Sequence, residues 1–179
     1  MLLVFYKAIR IAKIWHQVFV ASSSIKHLFM PNTNNRYALI TGASNGIGYE
    51  LAKLFAEDGY NLITVARSSD ELQQQATEFS QKYGIDVIPI AKDLFQQQAA
   101  FELYDEVKAK GLTVDVLVND AGQGQFGLFV EQDIQRLLDI IQLNVKSLTV
   151  LTQRICRTQR SRTPNFPTRQ RWRRMVTKR

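Results

Sequence analysis

From residue 36 onward the chain alternates between short apolar runs and longer polar stretches with helical spacing. The apolar runs are read as strands at Tyr37–Thr41, Leu62–Ala66, Asp86–Ala91 and Asp115–Asn119. The stretches between and after them are read as helices over about Ile47–Glu57, Asp70–Tyr83, Gln97–Lys110 and Glu131–Gln153. Gly59, Gly84 and Gly111 each follow a helix closely, where a C-terminal cap needs a residue free to take positive φ. Strands joined through helices lie parallel, because antiparallel neighbours need only a tight turn. The alternation therefore predicts an α/β fold built on a doubly wound parallel sheet.

The first strand runs into the first helix through Thr41-Gly-Ala-Ser-Asn-Gly-Ile-Gly48. A phosphate-bearing ligand at such a turn needs backbone amides close to its oxygens, and a Cβ in the way keeps them apart. Gly42 allows the tight turn, Gly46 lets the backbone approach a pyrophosphate, and Gly48 permits close helix–strand contact, while the helix N-terminus adds positive dipole. The spacing is G-x-x-x-G-x-G and not the standard G-x-G-x-x-G. Taken alone, a merely tight connection would carry the same glycines.

Three further motifs follow in order: Asp93 after the third strand, Asn119-Asp-Ala-Gly122 after the fourth, and Asn144 in the next helix. In order and spacing the chain resembles the short-chain dehydrogenase/reductase family over about residues 36–153. The resemblance implies a Rossmann-like sheet, C-terminally incomplete, and a nicotinamide dinucleotide bound at Gly42, Ser44, Asn45, Gly46, Ile47 and Gly48. It places Asp93 at the adenine region and has Asn119, Ala121 and Gly122 steady the central strand and the cofactor. Asn144 is the one matching member of the family's catalytic set. Asp120 stands where the motif more usually has a second asparagine.

An acidic residue at the end of the second strand binds a ribose 2′-hydroxyl in the dinucleotide fold, whereas an arginine there accommodates a 2′-phosphate. This chain has Val65-Ala66-Arg67-Ser68, with no acid before Asp70. A guanidinium forms paired charge-assisted bonds to phosphate, so NADP(H) is favoured over NAD(H), with Ser44 and Asn45 as weaker second contacts. The alternative is that Arg67 is a solvated loop cation.

Reducing a carbonyl with a hydride requires a positioned acid. In the resembling family it is a tyrosine, with a lysine four residues on and a serine on the preceding strand. Tyr-x-x-x-Lys occurs as Tyr49–Lys53 and Tyr104–Lys108, but both lie in helices ahead of the place the family uses. That place would fall past Arg179, and the serine's place near position 170 holds Arg-Gln-Arg-Trp-Arg-Arg. The chain is therefore read as truncated or shifted in frame after about residue 153 and inactive as it stands, with an unpaired sheet edge. The substrate loop is absent too; Gln123, Phe126 and Phe129 are read either as a pocket mouth or as core.

The net charge of +7 belongs to the ends. Residues 1–30 carry four Lys or Arg and residues 154–179 carry ten, neither with any acid, leaving nine of the 23 basic residues and all 16 acidic ones to the middle, a net of −7. Residues 1–35 are read as a basic amphipathic extension for a membrane surface, a partner or the chain's own domain, or as an upstream extension from a misplaced start codon, and 154–179 as a disordered or out-of-frame tail. A nucleic-acid role would rest only on that tail with Trp172, and no specific nucleic-acid partner is expected. A single cysteine, Cys156, allows no disulfide framework and no structural zinc site, and the cytoplasm is the expected location. Metal ligands are not expected. The partners implied by the resemblance are a small carbonyl or alcohol substrate and a second subunit meeting the helix at 131–153. The alternative to a reductase is a non-catalytic dinucleotide-binding module with membrane- or partner-binding ends.

Overall fold

Unbroken apolar strands need cover on both faces, and the computed structural model, which describes residues 36–162, provides it. The amphipathic reading of 1–35 and the tail reading of 163–179 lie outside the described residues. In chain order the elements are β1 (Arg36–Thr41), α1 (Gly46–Glu57), β2 (Asn61–Ala66), α2 (Ser69–Tyr83), β3 (Val87–Ala91), α3 (Ala99–Ala109) and β4 (Thr113–Asn119). A 3-10 turn at Phe129–Glu131, α4 (Ile134–Ile141), a π-helical turn at Gln142–Ser147 and α5 (Leu148–Arg162) complete it.

The strands form one parallel sheet in the order β3-β2-β1-β4, the first four positions of the doubly wound dinucleotide fold. Successive side chains alternate faces. Leu39, Ile63 and Val65 join Leu103, Val107, Leu151 and Ile155 of α3 and α5 on one face. Ala38, Ile40 and Leu62 meet Ala52, Leu72 and Phe79 of α1 and α2 on the other. Each fully buried Leu, Ile or Phe here contributes about 1.5–3 kcal/mol of transfer free energy. The fold is α/β, Rossmann-like, as the alternation predicts.

Local chemistry sets the ends of the helices. The Ser68 hydroxyl accepts the Glu71 N–H at 3.5 Å to open α2, Asp70 and Glu71 occupy its first turn, and Gly84 closes it at φ 67°. Gly59 and Gly111 take φ 78° and 69° at the ends of α1 and α3. Pro89 sits mid-strand in β3, paired in register with Thr64; β3 is an outer strand, where proline is tolerated.

The last helix differs from its sequence reading. It opens later, at Ile134, after the Asp133 carboxylate accepts the Gln135 N–H at 3.1 Å. It also continues to Arg162 instead of stopping near Gln153, so residues 154–162 are helical. The physical reason is a four-residue period of burial: Leu143, Ser147, Leu151 and Ile155 are all buried, Ser147 with its hydroxyl on the Leu94 carbonyl, and the period carries the helix into the basic region. Thr158 and Gln159 anchor the extension, through Tyr104 Oη at 2.8 Å and through the Val114 and Asp115 carbonyls at 2.9 and 3.0 Å. β4 has β1 on one side only among the described residues, and most of it is half-buried.

Candidate cofactor-binding site

The sheet order changes direction between β1 and β4, and ligands of open α/β sheets bind in the crevice beyond the carboxyl ends of strands at such a point. Here two turns meet there. The Thr41 hydroxyl, at the end of β1, accepts the N–H of Asp120 at 3.2 Å and of Ala121 at 3.1 Å. It is itself buried and lies 3.4 Å from the Val118 carbonyl, to which it donates. One side chain thus ties the glycine turn after β1 to the Asn-Asp-Ala-Gly turn after β4.

Each glycine of the first turn has its own constraint. Gly42 has φ 74°, and a Cβ on it would lie 2.9 Å from the Ala121 nitrogen. Gly48 is helical, but a Cβ there would drive into the Gly42 carbonyl oxygen and come within 2.9 Å of an Asp120 carboxylate oxygen. Gly46, at φ 58°, has no protein atom within 4 Å of its Cβ position. It holds the backbone in a left-handed conformation facing open space, the kind of cradle a phosphate fills and a side chain would block.

The helix behind this cradle opens without a capping side chain: Asn45 is extended and makes no cap hydrogen bond, and no acid occupies the first turn. The first-turn N–H groups of α1 are therefore left for an anion. The Gly48 N–H is the exception, given to Asp120. Burial pushes the Asp120 carboxyl above the ordinary aspartate range, and the Gly48 hydrogen bond draws it part of the way back. Ser44 is half-buried in the turn, while Asn45 and Ile47 are exposed on it. Gln75, reaching over from α2, donates to the Ala43 carbonyl at 2.9 Å and braces the turn from behind.

The adenine-side residues follow β2 and β3. The Asp93 carboxylate accepts the Phe95 N–H at 3.2 Å and the Gln96 side-chain amide at 3.3 Å, so it fixes its own loop. Arg67 is exposed, its guanidinium carbon 5.8 Å from the centre of the Phe95 ring. Arg136, from α4, approaches the same ring to 5.4 Å.

On the other side, the Asn119 amide donates to Thr152 Oγ1 at 3.0 Å, while its buried Oδ1 makes no hydrogen bond. Asn144 lies in the π-helical turn, a feature common at functional sites. Its Oδ1 accepts the Gln123 N–H at 3.0 Å and its Nδ2 donates to the Gln123 carbonyl at 2.8 Å. A Cβ on Gly122 would stand 3.4 Å from that Oδ1. Asn144 thus clamps the chain as it leaves the second turn.

The structure brings Gly42–Gly48 together with Asn119–Gly122 and Asn144, and gathers Asp93 and Arg67 beyond the neighbouring strands. It leaves both Tyr-x-x-x-Lys pairs outside. Tyr49 packs on Phe79 at 5.5 Å between ring centres. Tyr104 and Lys108 line a cavity of about 340 Å³ with Arg36, Thr113 and Val114, at the opposite end of β1 and β4. Phe126 and Phe129 are 96% and 75% exposed, so neither is core among the described residues. Sequence reasoning missed Thr41 as the tie, Gln75 as the brace, Phe95 and Arg136. Only the hydroxyl at the head of the glycine motif offered a signal, since the others depend on contacts between distant elements.

The comparisons agree with this geometry. The profile of the short chain dehydrogenase family matches residues 36–163. A very-long-chain 3-oxoacyl-CoA reductase of Scheffersomyces stipitis is 34% identical over 151 residues, covering 76% of this chain and 42% of the relative. Among solved structures, a bulky-bulky ketone specific alcohol dehydrogenase of Comamonas testosteroni superimposes with a TM-score of 0.64 at 35% identity, over 69% of this chain and 49% of that one. A short-chain dehydrogenase of Sphingobium yanoikuyae in complex with NADPH gives 0.63 at 32% identity, over 67% and 46%. The chain thus spans less than half the length of these three relatives, and within that span the match of profile, fold and turn geometry shows that it belongs to the short-chain dehydrogenase family.

Proposed function

We propose that this chain is the cofactor-binding part of an NADP(H)-dependent oxidoreductase acting on a carbonyl or alcohol, and that the 179 residues bind the dinucleotide without turning over substrate. The observation that carries the reading is the meeting of the two turns at the switch point, with Gly46 facing open space beside an uncapped helix start. Gly42, Ser44, Asn45, Gly46, Ile47 and Gly48 would hold the pyrophosphate and its flanking riboses. Asp93 and Arg67 would hold the adenosine end, and Asn119, Ala121 and Gly122 the turn against which the nicotinamide half rests. When bound, the dinucleotide supplies or accepts the hydride. The NADPH complex of the Sphingobium relative supports the cofactor class, and Arg67 supports the phosphorylated form.

Both ends of the Asn144 amide are engaged by Gln123, so its part is to position the segment after the turn, where substrate would approach. The Ser, Tyr and Lys that would place the proton are not matched in this chain. A 3-oxoacyl thioester is the substrate class supported by the Scheffersomyces relative. A homo-oligomer fits the apolar stripe of Ile134, Leu138, Ile141 and Val145 along α4 and the π turn, all more than half exposed. The cytoplasm remains the proposed location; among the described residues no helix is long and apolar enough to cross a membrane.

Calorimetric titration of the chain with NADPH tests the reading. Saturable binding that Gly46→Val abolishes is the expected result; no binding by a folded chain refutes it.

A further inference from the structure

Arg67 and Arg136 come from different elements, the end of β2 and the helix α4, yet both guanidinium groups converge on one ring. Their carbons lie 5.8 and 5.4 Å from the Phe95 centre and so no more than about 11 Å apart. That is close to one Debye length at moderate salt, so the two charges repel. Among the described residues neither forms an ion pair. The acids nearest in sequence to Arg136 are engaged elsewhere: Asp133 accepts the Gln135 N–H and Asp139 the Gln135 side-chain amide. Asp93, beside Phe95 in the chain, is taken up by its own loop.

The ring beneath them is held firmly. Phe95 is half-buried against the core, and its loop is pinned to the π-helical turn at three carbonyls. Ser147 donates to Leu94 O at 2.8 Å, Lys146 to Gln97 O at 3.2 Å and Gln142 to Gln96 O at 3.3 Å. An aromatic face attracts a guanidinium but neutralises none of its charge. Two cations gathered on one platform, neither in an ion pair among the described residues, suit a doubly charged anion. The platform lies beyond the carboxyl ends of β2 and β3, on the adenosine side of the crevice.

The geometry points to Arg136 as a second specificity-determining residue: with Arg67, and positioned by Phe95, it reads the 2′-phosphate monoester of a phosphorylated dinucleotide. This rests on the NADP(H) reading above and adds to it a residue far along the chain from the end of β2.

The test is equilibrium binding of NADPH, NADH, adenosine 2′,5′-bisphosphate and AMP to the full chain and to Arg136→Gln, Arg136→Lys and Arg67→Gln. Loss of a charge-assisted contact at a solvent-facing site should weaken NADPH and the bisphosphate about tenfold in Arg136→Gln, with NADH and AMP unchanged. Arg136→Lys should recover part of the loss, since it keeps the charge and gives up the fork. If the wild-type chain prefers NADPH and Arg136→Gln weakens all four ligands equally, or none, the inference is overturned while the NADP(H) reading stands. If the wild-type chain binds NADPH no tighter than NADH, that reading fails and takes the inference with it. Should Arg136→Gln not fold, Arg136→Lys decides alone: a loss confined to the two phosphorylated ligands supports the inference, and an equal or absent effect overturns it.

Discussion

Gly48→Ala is the substitution that most directly probes the packed turns. The added methyl would lie 2.7 Å from the Gly42 carbonyl carbon and 2.9 Å from an Asp120 carboxylate oxygen. Ordinary carbon contacts are about 3.5–4.0 Å, so the Gly42 backbone must retreat by about 1 Å. It has little room, because its own Cβ direction meets the Ala121 nitrogen at 2.9 Å. Overpacking of this kind costs about 1–3 kcal/mol, and alanine's better helix propensity returns up to about 1 kcal/mol. A net loss of about 1–2 kcal/mol lowers the melting temperature of a chain of this length by roughly 2–8 °C. The displaced turn also loses charge-assisted contacts to a pyrophosphate, which makes NADPH binding about tenfold weaker. Gly46→Ala separates the two readouts: with φ at 58° but no protein atom near its Cβ position, its cost in stability is backbone strain alone, about 1–2 kcal/mol, while its methyl enters the phosphate cradle and weakens NADPH binding directly. Thermal melting by circular dichroism and calorimetric titration give both numbers. A Gly48→Ala chain with wild-type melting temperature and affinity would refute the packing argument; a lowered melting temperature with unchanged affinity would put the dinucleotide elsewhere.

Three other outcomes follow from the same geometry. Thr41→Val removes the acceptor shared by the Asp120 and Ala121 N–H groups and should cost about 1–3 kcal/mol in urea unfolding; a loss near zero would mean that the tie is dispensable. The Asp120 carboxyl is raised in the fold by burial, so its stability contribution is intact below the unfolded aspartate value of about 3.9. It falls as pH rises through the folded value and stays lower above it; Asp120→Asn should lack this decline, and parallel stability profiles for variant and wild type from pH 4 to 7 would contradict it. With β4 paired on one side only among the described residues, the chain alone should form assemblies that grow with concentration in light scattering, whereas a monomer that unfolds cooperatively would rule this out.

The sheet and its connections were legible because each signal was local. Apolar runs bounded by glycine gave the strands, and Gly59, Gly84 and Gly111 marked helix ends through a conformation other residues avoid. The glycine motif marked the crevice for the same reason. The continuation of α5 past Gln153 was hidden by composition: a region rich in arginine and without acid looks unable to fold, yet Leu151 and Ile155 extend the buried period set by Leu143 and Ser147. Arg136 and Phe95 were illegible because they are 41 positions apart in sequence and meet only once α4 crosses the end of the sheet. Gln75 looked like one of several polar residues on α2 until its amide was found on the Ala43 carbonyl.

The two outer strands of the sheet are not equivalent, and Pro89 is the reason. The Asp86 carbonyl accepts the Leu62 N–H at 2.9 Å and the Lys92 N–H donates to the Ala66 carbonyl at 2.8 Å, so even-numbered backbone groups of this region turn toward β2. Odd-numbered ones turn outward by strand alternation. Pro89 therefore removes a donor on the outer side of β3, where a newcomer would need it, and leaves the ladder with β2 whole. β4 carries no proline. Among the described residues the sheet is a ratchet open at one end: a strand arriving from the same chain or from another can dock beside β4, while on the β3 side Pro89 withholds a donor that a newcomer would need.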